Sequence, residues 1–250
     1  WKQFREGRNL LQKFGDYDSK AWPTVLDPHG EDVDPETDSA FPLPEDNRYL
    51  AVIHADGNGL GQLMMAASQA LNASPGNYVT GFRELSRAVS RAGEKAAWEA
   101  AERWLERDPD WGTLPARPIV LGGDDLTVLV RADRALDFTR EWVRQFAEKS
   151  EEELAPLREE SWGQSLPSKL SACAGVAFVR ASQPFSMAYE LAEELCQHAK
   201  AHAKAWKQEN EEVVPAALAF HRATTSLIDD YSAILGNELQ APHTGDRLTW

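Results

Sequence analysis

Cysteine and long apolar runs are both scarce in this chain of 250 residues. The two cysteines, Cys173 and Cys196, lack the paired spacing of zinc ligands, which argues against a structural zinc site. They fall in a predicted strand and a predicted helix, which favours two small core residues over a disulfide. No apolar run is long enough to cross a membrane, and the first residues lack a signal-peptide pattern. We therefore expect a cytoplasmic protein with no membrane partner.

Basic residues are also in deficit, because 26 Lys and Arg face 40 Asp and Glu and give a formal net charge of −14 at pH 7. Binding of long nucleic acids relies on Lys and Arg to neutralise phosphates. The charge balance therefore argues against direct binding of a long polynucleotide. A small nucleotide accompanied by Mg²⁺ fits the charge better, and a basic partner subunit stays open as an alternative.

Three regions are expected along the chain. Residues 1–47 carry an N-terminal helix, over about 1–15, and an irregular proline-rich linker with little core value. Residues 48–222 hold the alternating strands and helices of one domain, and residues 223–250 are a tail or the start of a further element. The chain begins with Trp1 and not with Met, so we expect a processed chain or a piece of a longer protein.

The elements of the central region are predicted from hydrophobic periodicity and from turn residues. Strands are expected at 49–55, 118–131 as a hairpin, 170–180 and 213–220, and helices at 59–72, 78–107, 132–148 and 184–208, with an exposed connection at 148–168. This order predicts an α+β fold with a βαββαβ core, an added helix and an extra terminal strand. We expect an antiparallel sheet with helices on one face.

The predicted hairpin has an acidic tip. Gly122 and Gly123 lie between two apolar β-rich runs and allow a tight turn. Asp124 and Asp125 follow directly, and carboxylate oxygens are ligands that suit Mg²⁺. Taken alone, the motif is explained equally well by an ordinary polar turn.

A second acidic residue ends the first strand. The run Tyr49–Ala55 is almost wholly apolar, as in a strand buried on both faces, and Asp56 follows it directly, with a glycine-rich turn into a helix. Backbone N–H groups at a helix start also favour phosphate. If this strand and the hairpin lie side by side, Asp56 converges with Asp124 and Asp125, which predicts a two-metal phosphoryl-transfer site. A histidine two positions earlier, His54, is better explained by packing than by catalysis.

Four sequence blocks together resemble a known domain, the palm of the large polymerase-like subunit of type III CRISPR effector complexes. More distantly they resemble GGDEF diguanylate cyclases and class III adenylyl cyclases. The resemblance covers about 48–222 and implies a ferredoxin-like palm. The first block is Asp56–Gly61 and the second is Gly122–Asp125. The third consists of three segments, Leu170–Ala177, Gln183–Phe185 and Glu194–Lys200, and the fourth is Ala219–Arg222.

This resemblance implies a nucleotidyltransferase that joins ATP into cyclic oligoadenylate second messengers for antiviral defence, with two Mg²⁺ or Mn²⁺ ions. Asp56 would bind the metals together with the carbonyl of Gly57. Asp124 would be the second acidic ligand, and Asp125 a further ligand or its support.

The nucleotide contacts implied by the resemblance involve four more positions. Gly122 and Gly123 would let the ribose and phosphates approach the backbone, and Lys200 would face the triphosphate. Asn58 would lie near the nucleotide, at a place where the family often has an acid. Ser171 is a weaker candidate for contact with the base.

The resemblance also implies a partner, because a cyclase of this type needs two facing nucleotide sites. The second palm would come from a homodimer or from another domain, within a CRISPR effector complex. Two alternatives stay open: a compact stand-alone cyclic dinucleotide synthase, and a catalytically silent nucleotide-binding palm that acts as a subunit. A GTP-using diguanylate cyclase is less favoured, because Leu126 replaces the aromatic residue of the GGDEF turn.

Overall fold

The computed structural model describes residues 9–26, 34, 38–44, 48–72, 78–224 and 231–237. These residues form a five-stranded sheet with flanking helices, and two short 3₁₀ turns at Leu11–Lys13 and Ser19–Ala21. In chain order the strands and helices are β1 (Tyr49–Gly57), α1 (Leu60–Asn72), α2 (Tyr78–Trp104), β2 (Ala116–Gly122), β3 (Asp125–Arg131), α3 (Ala132–Glu159), β4 (Ala172–Arg180), α4 (Phe185–Trp206), β5 (Ala217–Arg222) and α5 (Tyr231–Asn237).

The sheet has the strand order β2-β3-β1-β4-β5. The central strand β1 pairs antiparallel with both β3 and β4, and β2 pairs antiparallel with β3. The α+β class and the βαββαβ core expected from the sequence are therefore confirmed. The added strand β5 runs parallel to β4, so the sheet is antiparallel only within its four core strands.

Both faces of the sheet are covered by helices, and not one face as expected. Ala51 and Ile53 of β1 belong to the core formed with α2 and α3, whereas Leu50 and Val52 belong to a second core formed with α4. Successive side chains of a strand point to opposite faces, so the unbroken apolar run of β1 requires a cover on each side. That requirement explains why α4 lies opposite α2 and α3.

Helices α2 and α3 pack against each other over much of their length. Helix α3 continues to Glu159, eleven residues beyond its expected end at residue 148. Ser150, Leu154 and Leu157 are buried and extend its inward-facing stripe at helical spacing. Glu151 and Glu152, between these positions, are exposed, which is why the segment resembles an exposed connection in the sequence.

The segment before β1 contributes to the core, and the expectation that it has little core value is wrong. Phe14, Trp22, Phe41 and Leu43 are all buried. Phe14 and Trp22 join the α2–α3 side of the sheet, whereas Phe41 and Leu43 join the α4 side. Of the helix expected over 1–15, residues 1–8 lie outside the described residues, and residues 9–15 form the 3₁₀ turn Leu11–Lys13 and not an α-helix.

The C-terminal part of the domain differs slightly from expectation. Strand β5 begins at Ala217, a few residues later than predicted. Within the tail expected over 223–250, Tyr231 and Ile234 of α5 pack on the α4 side of the sheet; residues 225–230 and 238–250 lie outside the described residues. Cys173 and Cys196 are buried and unpaired, as expected. Among the described residues, no helix combines the length and apolarity needed to span a membrane.

Candidate active site

Three carboxylates from two neighbouring strands meet at one end of the sheet. Asp56 is the next-to-last residue of β1, Asp124 lies in the β2–β3 turn, and Asp125 opens β3. The pairing of Ala55 with Leu126 places Asp56 and Asp125 next to each other across the two strands. Each of the three aspartates offers one oxygen, and these oxygens all lie within 4.8 Å of one another. The structure thus brings together the three acids that the sequence singles out.

The hairpin turn is positioned by Gly123 in the turn and by Gly93 in α2. Gly123 has a φ angle of +68°, in the left-handed region that a side chain disfavours. Its carbonyl oxygen lies directly against Gly93 of α2, where a Cβ would collide with it. Helix α2 therefore packs against the backbone of the turn and holds Asp124 in place. By contrast, open space surrounds the Cβ position of Gly122.

Gly57 makes room for the Asp124 side chain. A Cβ on residue 57 would lie 2.7 Å from Cβ of Asp124 and would collide with its carboxylate. Only glycine therefore lets the end of β1 approach the turn this closely. The β1 backbone and the Asp124 carboxylate share one wall of the site.

Lys200 supplies the positive charge of the site from α4. Its Nζ forms an ion pair with the Asp56 carboxylate and donates a hydrogen bond of 2.9 Å to the carbonyl oxygen of Gly57. Close packing of α4 on β4 brings it there, because a Cβ on Gly175 would lie 2.5 Å from the backbone nitrogen of Cys196. Lys200 thus bridges two of the groups that the resemblance assigns to the metal, Asp56 and the Gly57 carbonyl.

Burial and the repulsion between neighbouring carboxylates raise the pKa values of Asp124 and Asp125. Burial, reinforced by the charges of Asp56 and Asp125, raises the pKa of Asp124 to about 6. Burial also raises the pKa of Asp125, and the charge of Asp56 adds to this effect. One ammonium group faces three carboxylates, so a divalent cation would relieve the remaining repulsion. The donors are all oxygens, the ligands that Mg²⁺ and Mn²⁺ prefer, so the donor set fits these ions.

Asn58 is directed toward β4 and the segment before β5. Its backbone N–H donates to the carbonyl of Ser171 at 2.8 Å, and its Nδ2 donates to Oγ of Ser171 at 3.0 Å. The amide is therefore engaged within the protein. His54 lies beside the site, where its Nδ1 is 3.2 Å from Oγ1 of Thr127 and its ring packs edge-on against Tyr189.

Two residues that shape the site were missed from the sequence: Gly93 and Gly175. Each is an isolated glycine inside a regular element, one in a helix and one in a strand. An isolated glycine in such a position is a recognised sign of close backbone approach. That sign could have identified both positions, although not the element that approaches them.

Comparison with known proteins gives one family match. The model of the family "Cas10/Cmr2, second palm domain" matches residues 49–208. No curated protein matches the chain.

Solved structures that match this chain include Csm1-Csm4 cassettes and a GGDEF-domain protein. The cassette in complex with cA3 has 17% identity and a TM-score of 0.40, covering 62% of this chain and 20% of that one. The apo cassette has 17% identity and a TM-score of 0.42, with the same coverage. An EAL/GGDEF domain protein from M. capsulatus has 18% identity and a TM-score of 0.32, covering 71% of this chain and 88% of that one. The chain spans about a fifth of the cassette chains it matches.

Proposed function

This chain belongs to the family of the Cas10/Cmr2 second palm domain, and from that premise we propose that it is the palm of a metal-dependent nucleotidyltransferase that joins ATP into cyclic oligoadenylates. The observation that supports the proposal is the cluster of Asp56, Asp124 and Asp125, whose oxygens lie within 4.8 Å of one another. We assign the palm to residues 48–222, as the sequence suggests.

The metal ligands in this proposal come from the two strand ends. Asp56, Asp124 and the carbonyl of Gly57 would hold the ions, and Asp125 would complete or support the set. When bound, Mg²⁺ or Mn²⁺ lowers the pKa of the attacking hydroxyl and neutralises charge on the triphosphate. Lys200 already contacts both Asp56 and Gly57.

The reaction is the attack of a ribose hydroxyl of one ATP on the α-phosphorus of another. A new P–O bond forms, and the bond to pyrophosphate breaks. The protein contributes placement and charge, as in other phosphoryl transfers. Lys200 would donate to the triphosphate, and the open space above Gly122 would admit the nucleotide. Asn58, which donates to Ser171, would support the site from behind and not contact the base.

A second palm completes the proposal. Joining two ATP molecules requires two facing nucleotide sites, and the described residues contain one such carboxylate cluster. We place this chain in the cytoplasm, beside a second palm within a CRISPR effector complex. The second palm would come from another domain or from a second copy of the chain.

Incubation of the full-length natural protein, with its copurifying partners, tests the proposal. Each labelled NTP is supplied with Mg²⁺ or Mn²⁺, and products are identified by mass spectrometry. The expected result is cyclic oligoadenylate from ATP, lost in Asp56→Ala and in Asp124→Ala and retained in Asp110→Ala, which alters an exposed aspartate. Unchanged product in both site variants would contradict the proposal. Metal-dependent ATP binding without any product would identify a silent palm.

A further inference from the structure

The peptide group between Gly57 and Asn58 is held from both sides. We propose that Asn58 and Ser171 are positioning residues that aim the Gly57 carbonyl into the carboxylate cluster. This inference rests on the proposed metal site and assigns the residues that orient one of its ligands. It also gives Asn58 a role different from the nucleotide contact expected from the sequence.

The backbone hydrogen bonds at residues 57 and 58 set the direction of the Gly57 carbonyl. The carbonyl of Gly57 and the N–H of Asn58 belong to one planar peptide unit, in which the two groups point in opposite directions. The N–H donates to the carbonyl of Ser171 at 2.8 Å. The carbonyl of Gly57 accepts from Lys200 Nζ at 2.9 Å, beside Asp56. Because the Asn58 N–H is held toward Ser171, the Gly57 carbonyl is directed toward the aspartates.

The side chain of Asn58 reinforces this orientation. Its Nδ2 donates to Oγ of Ser171 at 3.0 Å and lies 3.4 Å from both the carbonyl of Pro215 and Sγ of Cys173. The Ser171 hydroxyl donates its own proton to the carbonyl of Val214, so its oxygen is left to accept. The two oxygens around Nδ2 are thus acceptors, which only a donor at position 58 can satisfy. This explains an amide where the resemblance leads one to expect an acid.

The oxygen of the Asn58 side-chain amide is inaccessible to ligands. Oδ1 of Asn58 is buried and has no hydrogen-bond partner among the described residues. A buried acceptor left without a partner is unfavourable, so the contacts of Nδ2 decide the orientation of the group. Because Oδ1 is buried, it is not presented to a nucleotide. The contacts of Asn58 point to orientation of the neighbouring carbonyl.

Ser171 links this peptide to the rest of the fold. It is buried, and it precedes β4 directly. Its hydroxyl connects Asn58 at the end of β1 to Val214 in the segment before β5. Outer contacts of this kind around a metal ligand commonly change metal affinity when they are removed.

Titration of the full-length protein with Mn²⁺, followed by electron paramagnetic resonance, tests the inference. We expect Asn58→Ala to raise the Mn²⁺ dissociation constant about tenfold. Ser171→Ala retains the backbone acceptor, so we expect a smaller increase of about threefold. Ser150→Ala is the matched control, because Ser150 is a buried serine that donates to Ala147 and accepts from Leu170 without touching Gly57.

Thermal unfolding of the same samples separates positioning from stability. A purely structural role would lower the melting temperature in all three variants and leave Mn²⁺ binding by the folded protein unchanged. Wild-type affinity in both Asn58→Ala and Ser171→Ala would overturn the inference and leave the metal site intact. Failure of the wild-type protein to bind Mn²⁺ would overturn the metal site and, with it, the inference.

Discussion

Gly57 and Asp124 come from strand segments far apart in the sequence, and their Cβ positions would be only 2.7 Å apart if residue 57 carried a side chain. The absence of that side chain is what allows the β1 end and the hairpin turn to share one site. The carboxylate of Asp124 fills the space that residue 57 leaves free.

Gly57→Ala should therefore displace Asp124 from the carboxylate cluster. Overpacking of a filled site typically destabilises by about 1–3 kcal/mol, and we expect Mn²⁺ affinity to fall by at least tenfold. The control is Gly61→Ala in the first turn of α1, because its Cβ position faces open space and alanine favours a helix. Mn²⁺ titration and thermal unfolding measure both effects. Equal affinity in the two variants would show that the close approach is unimportant.

Asp124→Asn should stabilise the metal-free protein at neutral pH. The folded-state pKa of Asp124 is raised to about 6, so its ionised form disfavours folding above that pH. We expect a gain on the order of 1 kcal/mol at pH 7.5, or roughly 2–4 °C in melting temperature. The gain should shrink as pH falls through 6 and vanish near about pH 3, below the unfolded-state pKa, where the carboxyl is protonated in both states. The same melting experiment with Asp110→Asn should show no such pH-dependent gain.

Lys200→Met should change metal and nucleotide binding in opposite directions. Lys200 occupies Asp56 and the Gly57 carbonyl, so its removal frees two expected metal ligands. Mn²⁺ alone should bind about three- to tenfold more tightly, whereas ATP should bind less tightly because a phosphate partner is lost. Isothermal titration of each ligand measures the two affinities. Lys204→Met, on the same helix, should change neither, and a parallel fall of both affinities in Lys200→Met would contradict the assigned role.

Phe41→Ala tests the contribution of the segment before β1. Phe41 is 0% exposed within the core on the α4 side, and truncation of a buried Phe destabilises by about 3–5 kcal/mol. Phe185→Ala removes a ring that is 43% exposed and should change stability by about 0.5 kcal/mol or less. Urea unfolding followed by tryptophan fluorescence compares the two. Similar stability of both variants would mean that the segment is dispensable for folding.

The three aspartates of the site could be predicted because each lies in a short local pattern. Asp56 follows an apolar strand directly, and Asp124 and Asp125 follow the two glycines of a hairpin. Such patterns depend on neighbours in the sequence, which a single chain displays. The position of Lys200 required the family resemblance, because nothing local connects a lysine in α4 to a strand end.

The errors concern relationships between distant segments. The helix α4 was expected on the same face as α2 and α3, although the apolar residues Leu50 and Ile53 lie on opposite faces of β1 and already required two covers. The burial of Trp22 and Phe41 depends on how an irregular segment packs on the two faces of the sheet. No periodicity marks such a segment, so its sequence resembles an exposed linker.

The proposed function requires the three carboxylates to hold a divalent metal ion for a nucleotide. Anomalous diffraction from crystals grown with Mn²⁺ and a non-hydrolysable ATP analogue tests this claim most directly. We predict Mn²⁺ density between Asp56 and Asp124, with the triphosphate close to Lys200. An ordered nucleotide at saturating Mn²⁺, with no anomalous density among Asp56, Asp124 and Asp125, would contradict it.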